Sequence, residues 1–225
     1  MTSSATRVIH QDRKSNVLTP SVLACLSRIP TVNLTTGTAT GTGGVSVIQN
    51  LVGSDYADSL TGSAGNNVIT GGQGDDTLAG AGGNDTYMFT RAGLLSGWGT
   101  DTLTDTGGED TLDFSEIDAP LQTTFENAGD LVVTDGVFIF KGFTLPGTSN
   151  TLTVSGADIE HLKTGAGDDS FVFGSTAAFA GDIDAGDGAD TLDYSARSAG
   201  VNVDLTAGAA DGVSGGLVAE DTNNS

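Results

Sequence analysis

Between residues 53 and 88 a large apolar residue recurs every nine positions among Gly, Asp and Asn. Four consecutive blocks, GSDYADSLT, GSAGNNVIT, GGQGDDTLA and GAGGNDTYM, each open with Gly and place the apolar residue eighth: Leu60, Ile69, Leu78 and Tyr87. Each also carries Asp or Asn sixth: Asp58, Asn67, Asp76 and Asp85. A single apolar residue between polar neighbours predicts a very short strand with one side chain turned inward. The Gly-rich run before it predicts a tight turn, because Gly tolerates positive φ and close backbone approach. One block cannot bury its apolar residue alone, so successive blocks must stack into coils. No segment sustains a helical period of 3.6, and the expected class is all-β.

The period recurs further along. Residues 96 to 113 read SGWGTDTLT and DTGGEDTLD, with Asp101 and Asp110 in the sixth place. Single blocks follow as TGAGDDSFV, carrying Asp169, and AGDGADTLD, carrying Asp190. A flexible Gly/Ser/Asp linker would have no need of an apolar residue at each eighth place.

The block also carries chemistry. Ca²⁺ takes roughly six to eight hard oxygen ligands from carboxylates and carbonyls. A Gly-rich loop with one Asp offers part of that shell, and two loops stacked one above the other can complete it. GGQGDDTLA fits the pattern G-G-x-G-x-D-x-U-x at every specified place, a repeat signature of calcium-binding parallel β-helices. These residues resemble the repeats-in-toxin family, or haemolysin-type calcium-binding repeats. The resemblance implies a right-handed parallel β-roll with Ca²⁺ between loops two blocks apart. Asp58 would then face Asp76, and Asn67 would face Asp85, with Gly72, Gly74 and Gly83 counted among the metal-site residues through loops whose carbonyls point inward, and Asp101, Asp110, Asp169 and Asp190 continuing the ligand places. Asn67 can ligate without bringing charge, and Tyr56 stands where the pattern has its fourth-place Gly. The resemblance also implies a secreted or cell-surface protein, exported by a type I secretion machinery. Its role would be a scaffold segment of a larger surface protein or adhesin, or else the accessory module of a secreted protease, lipase or epimerase.

Composition divides the chain. Residues 1–30 lack the Gly-Asp pattern and hold Arg7, Arg13, Lys14 and Arg28, half of the eight basic residues. They read as a disordered or artefactual leader, with regular structure expected from Thr31. Residues 31–113 form a first roll cluster, 114–160 a hairpin-rich spacer, and 161–225 a second, incomplete cluster. In the spacer, LVVTDGVFIFKGF predicts two strands about a type I′ turn at Asp135-Gly136. TLTV at 151–154 predicts another strand, ENAGD near 128 a turn, and Phe138, Phe140 and Phe143 core positions. These strands could extend or cover the end of the first roll. VNLTTGTA at 32–39 returns as VDLTAGAA at 203–210, an offset of 171 residues. The closing segment thus restarts the opening module, as expected in a longer array of further repeats.

Charge and composition exclude other classes. The formal net charge is −21, and Asp outnumbers Glu 24 to 5. Such a surface repels nucleic acid and anionic membranes, and no run of about 18 apolar residues predicts membrane insertion. Its self-repulsion makes cations necessary partners of the compact state. Cys25 is the only cysteine, and His10 and His161 are the only histidines, so neither an internal disulfide nor a His/Cys zinc site is expected. No catalytic constellation emerges. His161 lies between Glu160 and Leu162 where the internal copy has Asn50, and is expected at a solvent-facing or turn position. A Thr/Gly patch at 35–42 is too short for a regular threonine array.

Overall fold

The computed structural model describes residues 7–9, 22–24, 31–90, 97–127, 130–135, 139–140, 143–144, 150–155, 159–204, 208–210, 213 and 216–218. Every regular element among these residues is a strand, most of three or four residues. They build a parallel β-roll with two main sheets. Sheet I runs, in spatial order, Arg7–Ile9, Val22–Ala24, Asn50–Val52, Val68–Thr70, Thr86–Met88, Thr111–Asp113, His161–Lys163, Asp182–Asp184, Gly216–Val218. Sheet II runs Thr191–Asp193, Ser170–Phe173, Leu121–Asn127, Asp130–Asp135, Thr151–Val154, Thr100–Thr104, Thr77–Ala79, Ser59–Thr61, Thr31–Asn33, Thr38–Ala39.

From residue 50 to 113 the chain alternates between the sheets, one strand in each per coil. Equivalent eighth-place residues pair directly: Leu51 with Ile69, Ile69 with Tyr87, Tyr87 with Leu112, and across the roll Leu60 with Leu78 and Leu78 with Leu103. All are buried. Each buried aliphatic side chain contributes about 1.5–3 kcal/mol, and only stacking removes it from water. The flanking strand residues point outward and are half-buried or exposed.

The spacer is built into the roll. Leu121–Asn127, Asp130–Asp135 and Thr151–Val154 form an antiparallel meander within sheet II, flanked by parallel pairing with Ser170–Phe173 on one side and Thr100–Thr104 on the other. Sheet I meanwhile steps directly from Thr111–Asp113 to His161–Lys163. The strand at 151–154 thus falls where the sequence predicts it, but the expected hairpin about Asp135-Gly136 does not form. Asp130–Asp135 finds its partners at 121–127 and 151–154, and Ile139–Phe140 pairs with Phe143–Thr144. The reason is burial: Leu131 and Val133 alternate into the roll core, which selects neighbours that continue the core. Gly136 and Phe138 lie outside the described residues, as do the side chains of Phe140 and Phe143.

Regular structure also starts earlier than Thr31. Val22–Ala24 pairs parallel with Asn50–Val52, and Leu23 is buried above Leu51. The expectation of an unstructured leader therefore fails at these residues. Leu23 extends the sheet I stack by one rung without any Gly-Asp turn before it, with Arg7–Ile9 pairing beyond it. His161 opens a strand rather than a turn, half-exposed, in the place Asn50 holds in its own strand, with Nδ1 against Asp182.

Candidate metal centre

The turns of the roll carry two files of sixth-place side chains. Where the chain passes from sheet I to sheet II stand Asp58, Asp76 and Asp101, the last within the strand Thr100–Thr104. In turns leading back stand Asn67, Asp85 and Asp110. Within each file the residues are rungs of one ladder. The Asp58 amide donates to Asp76 Oδ1 at 2.9 Å, and the Asp76 amide to Asp101 Oδ1 at 2.9 Å. In the second file the Asn67 amide donates to Asp85 Oδ1 and the Asp85 amide to Asp110 Oδ1, each at 2.7 Å. The Asp110 amide continues this file to Glu160 Oε2 at 2.8 Å. Asp169 and Asp190 form a separate pair, the Asp169 amide donating to Asp190 Oδ1 at 2.9 Å, and the Leu121 amide donates to Asp169 Oδ1. Asp169 is buried and Asp190 exposed.

In Asp76, Asp85 and Asp101 one carboxylate oxygen is thus spent on holding the preceding coil. The other is not: Oδ2 of Asp76, of Asp85 and of Asp101 is buried without a hydrogen-bond partner. An orphaned buried carboxylate oxygen is costly. Burial pushes the carboxyls of Asp76 and Asp85 up to about 7 and that of Asp101 up to about 8. Backbone amide donors oppose the shift. Like charges reinforce it, from Asp58 and Asp75 at Asp76 and from Asp105 and Asp110 at Asp85. Burial also raises Asp58 and Asp190, and takes Asp169 up to about 6.

The glycines explain how the carboxylates are admitted. The first-place residue lies two beyond the inward apolar residue, so the strand period of two turns it inward as well. At Gly53, Gly71 and Gly80 an added Cβ would collide with Oδ2 of Asp58, Asp76 and Asp85. The space a side chain would fill is therefore taken by the carboxylate. Gly72, Gly74 and Gly83 have φ of +107°, +107° and +99°, and each lies against the backbone of the loop one coil earlier. Gly74 packs on the backbone of Tyr56, whose side chain is exposed, so the departure at the fourth place leaves the stacking intact.

Sequence reasoning passed over several participants. Asn150 enters the first file through its Oδ1, which accepts from the Gly99 amide at 2.9 Å, and its own amide donates to Asp135 Oδ1 at 2.7 Å. Neither sits in a recognisable block, and only register could have found them. Asp105 is buried in the second file, with Tyr87 donating its hydroxyl to it. Its signal was legible: it stands two beyond Leu103 and must face inward.

Hard oxygens, orphaned and aligned in stacked Gly-rich turns, suit Ca²⁺ better than a softer ion. Fold and site together define a parallel β-roll of metal-binding repeats. Residues 52–87 match the RTX calcium-binding nonapeptide repeat in four copies. The chain therefore carries repeats of a kind that binds Ca²⁺ as a structural module rather than a catalytic one. No curated protein matches the chain.

Proposed function

We propose that this chain is a calcium-dependent scaffold segment of a larger secreted surface protein. Asp58, Asn67, Asp76, Asp85, Asp101, Asp110, Asp169 and Asp190 would hold the ions, within loops shaped by Gly72, Gly74 and Gly83. The observation that carries the reading is the set of orphaned Oδ2 atoms on Asp76, Asp85 and Asp101. Bound Ca²⁺ supplies the positive charge that turns repulsion between stacked carboxylates into attraction. Without it, folding brings these groups together out of water against both desolvation and mutual repulsion. Any ion preferring the folded roll stabilises it by mass action.

Extracellular calcium modules bind at about 10⁻⁴–10⁻³ M, far above cytosolic free calcium. The chain would remain loose before export, through a type I secretion channel, and fold outside. The recurrence of the 32–39 segment at 203–210 supports a repeated scaffold over an enzyme accessory.

Far-UV circular dichroism during a calcium titration, with magnesium as control, tests the reading. A cooperative gain of β signal with calcium alone is expected, and a fully ordered roll in excess chelator would sink it. Asp76→Ala is expected to raise the calcium midpoint more than Asp130→Ala, because Asp130 lies in the meander away from the turn files. Equal midpoints would remove Asp76 from the ligand set.

A further inference from the structure

Two departures from the nine-residue pattern meet in space. Tyr87 replaces an aliphatic residue at an eighth place, and eighteen residues later Asp105 replaces Gly at a first place. Both positions face inward, and the Tyr87 hydroxyl donates to Asp105 Oδ2. Asp105 Oδ2 and Asp85 Oδ2 flank the same glycine: an added Cβ at Gly80 would collide with both. Asp85, Asp105 and Asp110 are 1%, 4% and 0% exposed. One carboxylate oxygen from each lies within 4.8 Å of the others.

We propose that Asp85, Asp105 and Asp110 form a three-carboxylate cation site inside the roll, with Asp105 steered into it by Tyr87. The inference rests on the calcium reading of the repeats and adds to it a ligand that the repeat pattern does not supply. Elsewhere in these files the first place is Gly or an uncharged residue. Here it brings a third carboxylate to the same point. Asp105 Oδ1 accepts from the Thr106 amide and Oδ2 from Tyr87, which fixes its orientation. Asp85 Oδ2, buried and lacking a hydrogen-bond partner, faces the same space. The cation that fits is hard, carries at least two charges and sheds its water readily. Ca²⁺ and the trivalent lanthanides meet those terms. Mg²⁺ does not, because it retains several waters and the cluster is closed to solvent.

The competing explanation is that Asp105 and Tyr87 only satisfy one another in the core. Two variants of the full chain separate the two. Asp105→Gly restores the residue found at Gly62 and Gly80, and Asp105→Asn keeps an oxygen for the Tyr87 hydroxyl while removing the charge. Isothermal titration with Ca²⁺ is the readout, with circular dichroism at saturating Ca²⁺ to establish folding and Tb³⁺ as a second probe. In both variants one ion is expected to be lost or to bind at least about tenfold more weakly, since ligand charge count sets affinity. The remaining ions should keep wild-type affinity. Titrations that match wild type, or that show tighter binding, would overturn the site while leaving the repeat ions in place. A wild-type chain that takes up no Ca²⁺ would instead overturn the calcium reading beneath it.

Discussion

The inward position that follows the central inward residue of a sheet II strand differs between the two halves of the roll. Two residues beyond the inward strand residue stand Gly62, Gly80 and Asp105 in the first half, and Phe125, Phe173 and Tyr194 in the second. In the first half the glycines leave room that Asn67 and Asp85 occupy. In the second, Phe125 stacks on Phe173 at 4.5 Å and Phe173 on Tyr194 at 4.8 Å. One inward position thus decides what packs between one coil and the next, buried carboxylate and amide oxygens or a dry aromatic column. On the opposite side the same choice appears locally, where Phe89 stacks on Phe114 at 4.5 Å two residues past Tyr87 and Leu112. The roll is therefore expected to depend on calcium unevenly, most strongly over residues 50 to 113.

Removing an aromatic rung should give the largest effect. Phe173→Ala is expected to cost about 3–5 kcal/mol, by the same amount with and without calcium. Gly71→Ala should cost about 1–3 kcal/mol by overpacking and also raise the calcium midpoint, because its Cβ would displace the Asp76 carboxylate. Gly200, with open space around its Cβ position, serves as control. Chemical denaturation at two calcium concentrations checks both, and equal calcium dependence in Phe173→Ala and Gly71→Ala would erase the contrast between the halves.

Acidity probes the same contrast more gently. Asp76, Asp85 and Asp101 have folded values of about 7, 7 and 8, above their unfolded value of about 4. In that window the folded, metal-free chain binds more protons than the unfolded one, so its stability falls as pH rises. Whatever order the metal-free chain keeps should melt at a higher temperature at pH 5 than at pH 8. Saturating calcium should reverse the order, since protons then compete with the ion. A metal-free melting temperature that rises with pH would contradict the assignment of buried, unpaired carboxylates.

The smallest expected effect concerns the turn of 80–85. Ala81 has φ of +87° where the preceding block carries Gly72 at +107°. A non-glycine residue in that region is strained, so Ala81→Gly is expected to stabilise the roll by about 1 kcal/mol, with a lower calcium midpoint. A destabilised variant would show that Ala81 makes packing contacts worth more than the strain.

How much of this the sequence disclosed depends on where the information lies. Residues 53 to 88 repeat at a fixed interval, so strand, turn and sixth-place side chain were legible from spacing alone. Their inward apolar residues stack in the expected register. Longer intervals hide the register. Leu78 pairs with Leu103 and Leu112 with Leu162, across connections whose lengths no local pattern fixes. The Asp135-Gly136 signal was local and lost to the meander, in which 130–135 pairs with 121–127 and 151–154 instead. Leu23 was missed because a single buried residue in a basic, Gly-poor stretch has no periodic neighbour to reveal it. Alternation places Asp105 inside, but the repeat signature assigns its ligand to the sixth place and Gly to the first, so the pattern gives an acid there no meaning.

Unequal growth of the two faces has a mechanical outcome. Where one face advances by a single strand, the other inserts three, which adds about 10 Å along that side at the usual strand spacing. A rod lengthened on one flank is expected to curve toward the shorter one. On the proposed reading as a repeated scaffold, such modules joined end to end would trace an arc of fixed direction.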